Sequence, residues 1–337
     1  MGKAYYILSG DCGGTNTRLH LTLHTSLASN TDEGLTVKKR EFRNSEYGSF
    51  DEIMSEFLYV TSPTKHSAPT VVVLAAAGPV ADNAVLFTNS GWLISGPSLS
   101  SKFGTVVKIV NDFVGQGYGV LTLKEGETRV LHDAERVPGA PIVCVGAGTG
   151  LGECYLTSGS EGGSYTCFPS EGGHAEFAPR NDTEFELLRF LKSKFHQKHR
   201  VSVERVVSGT GLANVYEFFC SLGSFSPQVK AEFDAAGDMK GRVVATGDCP
   251  AARKSMQVFA AAYGSECGTC ALKFIPLGGL YVCGGLTPKN IDIIEGQQSE
   301  FMKAYRDKGR VSGLLEGVRM EAIMVEDLGM RGAQWLG

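Results

Sequence analysis

Two glycine-rich turns, each between two strand-like segments, are the parts of this chain best suited to bind phosphate groups. The first turn, residues 10–18, follows the apolar segment 5–8, and residues 19–23 after it alternate apolar and polar side chains. That alternation predicts a half-buried strand rather than a helix. Walker loops and dinucleotide-binding fingerprints require a helix directly after the glycines, so both are excluded. Backbone N–H groups at such a tip, with Asp11 beside them, can still bind phosphates and a hydrated metal ion.

A second turn of the same kind occurs more than a hundred residues later. The apolar segment 141–145 leads into the glycine-rich residues 146–152, and a strand-like segment, 154–156, follows. One such turn alone is typical of an ordinary glycine-rich hairpin. Because both copies contain Gly-Thr, the sequence predicts two related halves that face one nucleotide.

An acid that could activate a hydroxyl group follows another apolar strand. Asn111 and Asp112 come directly after residues 106–110, at the carboxyl end of the predicted strand, where open α/β sheets bind ligands. A carboxylate there can act as general base when a phosphoryl group is transferred to a hydroxyl. Asp112 can equally cap the helix that follows, and the residues alone leave both roles open.

Further polar residues are suited to an uncharged polyol. Glu171 and His174 are separated by two glycines, and carboxylates and imidazoles are partners for hydroxyl groups. Glu204 follows Ser202, a candidate N-cap, and its alternative role is that of a first-turn acid on a helix spanning 204–222 that is interrupted at 209–211.

The elements that position these residues alternate between strands and helices. We predict strands at 5–8, 19–23, 70–76, 105–110 and 279–283, and helices at 50–60, 182–197 and 251–274. The helix at 182–197 is predicted to start with a Thr183–Glu186 capping box and to align Phe185, Leu188, Leu191 and Phe195 along one side. This order of elements indicates α/β layers.

Length, charge and cysteine content narrow the function classes. The 337 residues suit two domains, and the net charge of −4 supplies no basic field for nucleic acids. We find no apolar stretch long enough for a membrane span and no signal peptide. Nine cysteines are scattered through apolar segments, and the close pair Cys267 and Cys270 has no two further ligands nearby in the sequence for a zinc site. Reduced, buried thiols and a cytoplasmic location are therefore expected.

These motifs, in this order along nearly the whole chain, resemble the glucokinase family of bacterial type, within the sugar kinase, actin and Hsp70 superfamily. The resemblance implies an α/β protein with a two-domain ribonuclease H-like fold, that of actin-like ATPases, with a cleft between a small and a large domain. It places the small domain at residues 1–122 plus 323–337 and the large domain at 123–322. The chain departs from the usual pattern at Cys12 and Ser170.

The resemblance also assigns roles to individual residues. It implies that Asp112 is the catalytic base and that Asp11 orients a hydrated Mg²⁺. The sugar-binding residues it implies are Asn89, Asn111, Asp112, Glu171, His174 and Glu204. The nucleotide-binding residues it implies are Asp11, Gly13, Gly14, Thr15, Asn16, Gly148, Thr149, Gly150, Gly284 and Gly285.

The activity implied is ATP-dependent phosphorylation of glucose at its 6-hydroxyl to give glucose 6-phosphate and ADP, the first step of glycolysis. The expected cofactors are ATP and Mg²⁺, and the expected partners are glucose and a second copy of the chain, without nucleic acid or membrane. Two alternatives stay open: a kinase for another hexose, and a non-catalytic sugar sensor on the same fold. Asp112 together with both glycine turns favours an enzyme, because a sensor has no need of all three.

Overall fold

The chain forms two units, each built around its own β-sheet. The computed structural model describes residues 4–25, 34–61, 69–87, 90–159, 163–223 and 226–337. The first unit comprises Met1–Lys124 with Glu326–Gly337, and the second comprises Glu125–Val325. Among the helices in the described ranges, none is both long and apolar enough to cross a membrane.

In its described residues, the first unit contains strands β1 to β7 and four α-helices. The strands are β1 (Ala4–Cys12), β2 (Asn16–Thr25), β3 (Leu35–Arg43), β4 (Val71–Ala76), β5 (Ala84–Phe87), β6 (Trp92–Ser95) and β7 (Val106–Asn111). The helices are α1 (Phe50–Thr61), α2 (Gly96–Phe103), α3 (Asp112–Val120) and, at the end of the chain, α11 (Leu328–Trp335).

The main sheet of the first unit has the strand order β3-β2-β1-β4-β7. Strands β1, β2 and β3 form an antiparallel meander, and β4 and β7 then add parallel to β1. Since β1, β4 and β7 run in the same direction, their carboxyl ends meet at one edge of the sheet, where Cys12 pairs with Ala76 and Ala76 with Asn111.

The second unit contains six strands in its sheet and most of the helices. The strands are β8 (Thr128–His132), β9 (Ile142–Ala147), β10 (Leu151–Ser158), β11 (Tyr165–Ser170), β12 (Gly279–Cys283) and β13 (Met320–Ile323). The helices are α4 (Asp182–Lys194), α5 (Gly209–Ser221), α6 (Pro227–Ala235), α7 (Lys240–Thr246), α8 (Pro250–Phe274), α9 (Ile291–Ile294) and α10 (Glu300–Arg306).

The two sheets repeat one topology, which confirms the prediction of two related halves. The second sheet has the order β11-β10-β9-β12-β13-β8. Strands β9, β10 and β11 form an antiparallel meander, β12 and β13 add parallel to β9, and β8 closes the edge. In each unit the glycine-rich turn joins the first strand of the meander to the second. The predicted strands and the helices at 50–60 and 251–274 are confirmed as β1, β2, β4, β7, β12, α1 and α8.

The start of helix α4 differs from the prediction. Its N-cap is Asn181, whose side chain accepts a hydrogen bond from the Glu184 N–H at 3.0 Å. The capping pair is therefore Asn181 and Glu184, not Thr183 and Glu186. The buried side of the helix accordingly carries Glu184, Leu187 and Leu191, and Phe185 is 49% exposed. The prediction was wrong because several polar residues here are all acceptable caps, and tertiary packing selects among them.

The predicted helix over 204–222 is also shorter than expected. Residues Val203–Arg205 form a single 3₁₀ turn, and α5 begins at Gly209. Ser208 caps α5 by accepting a hydrogen bond from the Gly211 N–H at 2.8 Å. The glycines at 209 and 211 thus mark the start of the helix and not an interruption of it.

Candidate active site

The carboxyl edge of the first sheet brings two of the predicted acids to one side of the first unit. Asp11 lies near the end of β1, and Asn111 ends β7, with β4 between them. Two strand spacings separate β1 from β7 by about 10 Å. Asp11 and Asp112, far apart in the sequence, therefore project from the same edge of the sheet.

Asp112 is the first residue of helix α3, but the cap of this helix is Asn111. The Asn111 Oδ1 atom accepts a hydrogen bond from the Phe113 N–H at 2.9 Å, and its Nδ2 donates to the Gly78 carbonyl at 3.1 Å. The Asp112 carboxylate also accepts from the Phe113 N–H, at 3.0 Å. Because Asn111 fills the capping role, capping alone does not account for an acid at 112.

Asn44 supports the first glycine turn through its side chain, a role that the sequence pattern does not predict. The turn is closed by a hydrogen bond from the Gly13 N–H to the Asn16 carbonyl at 2.9 Å. The buried Asn44 side chain donates to the Gly13 carbonyl at 2.8 Å and accepts from the Thr17 hydroxyl at 2.9 Å. Nothing in the local sequence marks Asn44, because its partners lie some thirty residues earlier in the chain.

The carboxylate of Asp11 has no hydrogen-bonding or ion-pair partner among the described residues. Asp11 lines a cavity of about 350 Å³ in the first unit. Burial raises the pKa of Asp11, although the nearby Arg18 charge acts in the opposite direction. A carboxylate with unoccupied oxygens is a ligand that Mg²⁺ accepts, directly or through its water shell.

The second glycine turn rests on the start of helix α5. The turn is closed by a hydrogen bond from the Gly148 N–H to the Gly150 carbonyl at 2.8 Å. The Gly209 N–H donates to the Gly148 carbonyl at 2.8 Å, and the Thr210 hydroxyl donates to the Thr149 carbonyl at 3.4 Å. The positive end of the α5 dipole therefore lies at this turn, which favours an anion such as phosphate.

Glu204 is fixed against the same turn. Its Oε2 atom accepts a hydrogen bond from the Leu151 N–H at 3.0 Å. A Cβ atom at position 150 would lie 2.4 Å from this oxygen, so a side chain there would displace the Glu204 carboxylate. The second turn and Glu204 are thus positioned by each other.

The structure brings together the three sugar-binding candidates of the second unit. His174 lies between two acids: its Nε2 is 3.7 Å from Glu171 Oε2, and its Nδ1 is 3.9 Å from Glu204 Oε1. Glu171 precedes a 3₁₀ turn whose last residue is His174. This turn packs tightly on β10, since a Cβ at Gly173 would lie 2.0 Å from the Leu151 carbonyl. Glu171 and His174 are more than half exposed, so their polar atoms are accessible to a ligand.

Gly284 and Gly285 lie beside the second turn at the end of β12. Gly284 has a φ of +81°, and a Cβ there would lie 2.4 Å from the carbonyl of Ala147, the residue before the turn. A Cβ at Gly285 would meet no atom within 4 Å. Gly284 is therefore required by the backbone, whereas the space at Gly285 is open to a ligand. Asn89, the remaining sugar-binding candidate, lies outside the described residues.

The chain is similar to known proteins over nearly its whole length. The family model described as Glucokinase matches residues 8–336. The chain is 35% identical to a glucokinase of Nostoc sp. over 343 residues, which cover 97% of both chains. Its fold is similar to a crystal structure of a glucokinase from an Antarctic psychrotroph, with a TM-score of 0.78, 26% identity and 98% of each chain covered. It also resembles a ROK family glucokinase from Streptomyces griseus in complex with glucose and AMPPNP, with a TM-score of 0.65, 17% identity and coverage of 98% of this chain and 99% of that one. The extent of these matches, together with the repeated sheet topology and the two glycine turns, shows that the chain belongs to the glucokinase family.

Proposed function

We propose that this protein transfers the γ-phosphoryl group of ATP to the 6-hydroxyl of glucose, with Asp112 as the general base. The observation that carries the proposal is the position of Asp112, at the carboxyl edge of the first sheet, where Asn111 already caps the helix. The 6-hydroxyl is a poor nucleophile at neutral pH. A carboxylate at hydrogen-bond distance aligns this hydroxyl and accepts its proton as the bond to phosphorus forms.

The sugar hydroxyls are assigned to Asn111, Glu171, His174 and Glu204, with Asn89 as a further contact. Supporting this assignment, His174 lies within 4 Å of both acids, so the three side chains offer acceptors and a donor over a small area. Such a mixture suits hydroxyl groups, each of which donates one hydrogen bond and accepts others.

The phosphates of ATP are assigned to the two glycine turns, and the adenosine is assigned to Gly284 and Gly285. Both turns offer backbone N–H groups, and the second adds the positive end of the α5 dipole. Asp11 fits a role in holding Mg²⁺ through water, because its carboxylate makes no hydrogen bond or ion pair within the described chain. When bound, Mg²⁺ would neutralise charge on the phosphates.

The substitution Asp112→Asn tests the base directly. The amide keeps the size of the side chain and can still form hydrogen bonds, but it cannot accept the proton. We expect kcat to fall by about 10²–10⁴-fold with glucose and ATP still bound. A coupled assay measures kcat, and calorimetry measures both affinities.

Asp51→Asn serves as the matched control, since Asp51 is a half-exposed acid of the first unit that pairs with Lys102. This control should retain wild-type turnover. Near wild-type kcat in Asp112→Asn would show that Asp112 only supports the helix start, and the proposed mechanism would be wrong.

A panel of hexoses and nucleotides separates the proposed activity from a kinase for another hexose. We expect the largest kcat/KM with glucose and ATP. A larger value with another hexose would reassign the substrate, and tight sugar binding without turnover would identify a sensor.

We further propose that the protein acts as a homodimer in the cytoplasm, as the family resemblance implies. Analytical ultracentrifugation of the purified chain should give twice the mass of one chain. A single-chain mass at micromolar concentration would contradict this proposal.

A further inference from the structure

A buried cluster of three metal-ligating side chains lies in the second unit and has no role in the proposed reaction. Glu153 is on β10, and Glu266 and Cys270 are one turn apart on α8. One ligand atom from each side chain lies within 4.8 Å of the other two. All three residues are buried, with exposed fractions of 4%, 9% and 1%.

One carboxylate oxygen of the cluster lacks a partner. Glu153 Oε1 is fully buried and accepts no hydrogen bond within the described chain. The other oxygen, Oε2, faces Gly172, where a Cβ would lie only 1.8 Å away. An unpartnered buried carboxylate oxygen destabilises a fold unless a proton or a cation satisfies it.

Two lysines, Lys273 and Lys308, lie near the carboxylates of the cluster. Neither Lys273 nor Lys308 forms an ion pair with Glu153 or Glu266 in the described structure. The Lys308 ammonium instead donates to the Ser265 hydroxyl at 3.3 Å.

The ligand types and spacing indicate which cation fits. The Cys270 thiol donates a hydrogen bond to Glu266 Oε1, and the sulfur and oxygen atoms are 3.8 Å apart. In a tetrahedral zinc site, bonds of about 2.3 Å to sulfur and about 2.0 Å to oxygen separate the two ligand atoms by about 3.5 Å. A sulfur ligand favours Zn²⁺ over Mg²⁺ and Ca²⁺, which prefer oxygen alone. We propose that Glu153, Glu266 and Cys270 form a binding site for one Zn²⁺.

Binding at this site would join helix α8 to strand β10 and release protons. The Cys270 thiol loses its proton to solvent as the zinc–sulfur bond forms, so affinity should rise with pH. Glu153 pairs with Ser170 across β10 and β11, and Ser170 directly precedes Glu171. Zinc would therefore stabilise the second unit next to the segment that carries Glu171 and His174.

Titration of the chelator-treated full chain with Co²⁺ and then Zn²⁺ tests the proposal. We expect one equivalent of Co²⁺ to produce a thiolate-to-cobalt charge-transfer band, and Zn²⁺ to abolish it by displacement. One equivalent of Zn²⁺ should also raise the melting temperature, since the metal binds the folded state. Both effects should be absent in Cys270→Ala and strongly reduced in Glu266→Gln, which provides a second variant if the first does not fold.

Cys267→Ala is the matched control, because Cys267 is an equally buried thiol on the same helix and is not one of the three ligands. It should keep the cobalt band and the zinc-induced rise in melting temperature. No cobalt band in the wild type would overturn the proposal and leave a carboxyl pair that shares a proton. A band that persists in Cys270→Ala, or is lost equally in Cys267→Ala, would overturn the ligand assignment.

Discussion

Glu204 contacts both the second glycine turn and His174, two candidate ligand-binding groups of the second unit, through its two oxygens. Oε2 accepts from the Leu151 N–H at the second glycine turn, and Oε1 faces His174. Glu171 approaches His174 but forms no bond to that turn among the described contacts. The two acids should therefore respond differently to removal.

We predict that Glu204→Ala raises the KM for both glucose and ATP, whereas Glu171→Ala raises the KM for glucose alone. Each lost hydrogen bond to a charged group is worth about 1.5–3 kcal/mol, or roughly 10–100-fold in KM. Steady-state kinetics with each substrate varied in turn measures both effects. Glu176→Ala, which removes a side chain that is 70% exposed, is the control. An unchanged KM for ATP in Glu204→Ala would contradict the link between this acid and the turn.

Asn44 provides a similar test in the first unit. Its side chain is the buried group that joins the Gly13 carbonyl to the Thr17 hydroxyl. We predict that Asn44→Ala lowers the free energy of unfolding by about 1–3 kcal/mol, because it leaves buried polar groups without partners. It should also raise the KM for ATP while the KM for glucose stays near the wild-type value. Denaturant unfolding and kinetics measure these changes, and an equal rise in both KM values would show that the effect is not confined to the turn.

Helices α3 and α11 approach each other closely through glycines. A Cβ at Gly332 would lie 1.8 Å from the Gly115 carbonyl, and one at Gly119 would lie 2.1 Å from the Leu328 carbonyl. Small residues at these positions let the two helix backbones touch. This contact fixes α3, and with it Asp112 at the start of α3, against the sheet of the first unit.

We predict that Gly332→Ala destabilises the first unit by about 1–3 kcal/mol, as overpacking of a core typically does. It should also lower kcat, because α3 must move to accommodate the added methyl group. Gly313→Ala is the control, since a Cβ at Gly313 would meet no atom within 4 Å. Denaturant unfolding and turnover are measured on both variants. A Gly332→Ala protein as stable as the control would show that the helices separate without cost.

At the scale of the whole molecule, the two units differ in how the chain builds them. The second unit is a continuous segment, and its ends lie close together, since the Met324 N–H donates to the Glu127 carbonyl at 2.9 Å. The first unit is built from two segments of the chain. The second segment, residues 326–337, contains α11, which packs on α3 and on the sheet.

We predict that a fragment of residues 125–325 folds alone with one cooperative melting transition, because it contains its own sheet and core. The fragment should show no turnover, since Asp11 and Asp112 belong to the first unit. Circular dichroism and the coupled assay test both expectations. A fragment without cooperative melting would show that the second unit depends on the first.

The sequence by itself determined the features that depend on neighbours along the chain. Alternating side chains after residues 10–18 identified a strand and thereby excluded a Walker loop, and the second glycine turn revealed the repeat that both sheets confirm. Strand polarity also placed Asp112 at a carboxyl edge. These inferences hold because period-2 burial and turn chemistry are local properties of the backbone.

Tertiary structure decided which distant residues meet. Glu204 reaches the turn before Leu151, Asn44 supports the turn at Gly13, and Glu153 joins two residues of α8 more than a hundred positions away. The sequence offered no second pair of ligands near Cys267 and Cys270. Glu153 lies on strand β10, far from helix α8 in the sequence. Local patterns also predicted the wrong cap for α4, because several polar residues there are acceptable caps. Such choices follow from packing between elements, since each contact is worth little until the whole sheet and its helices bring the partners together.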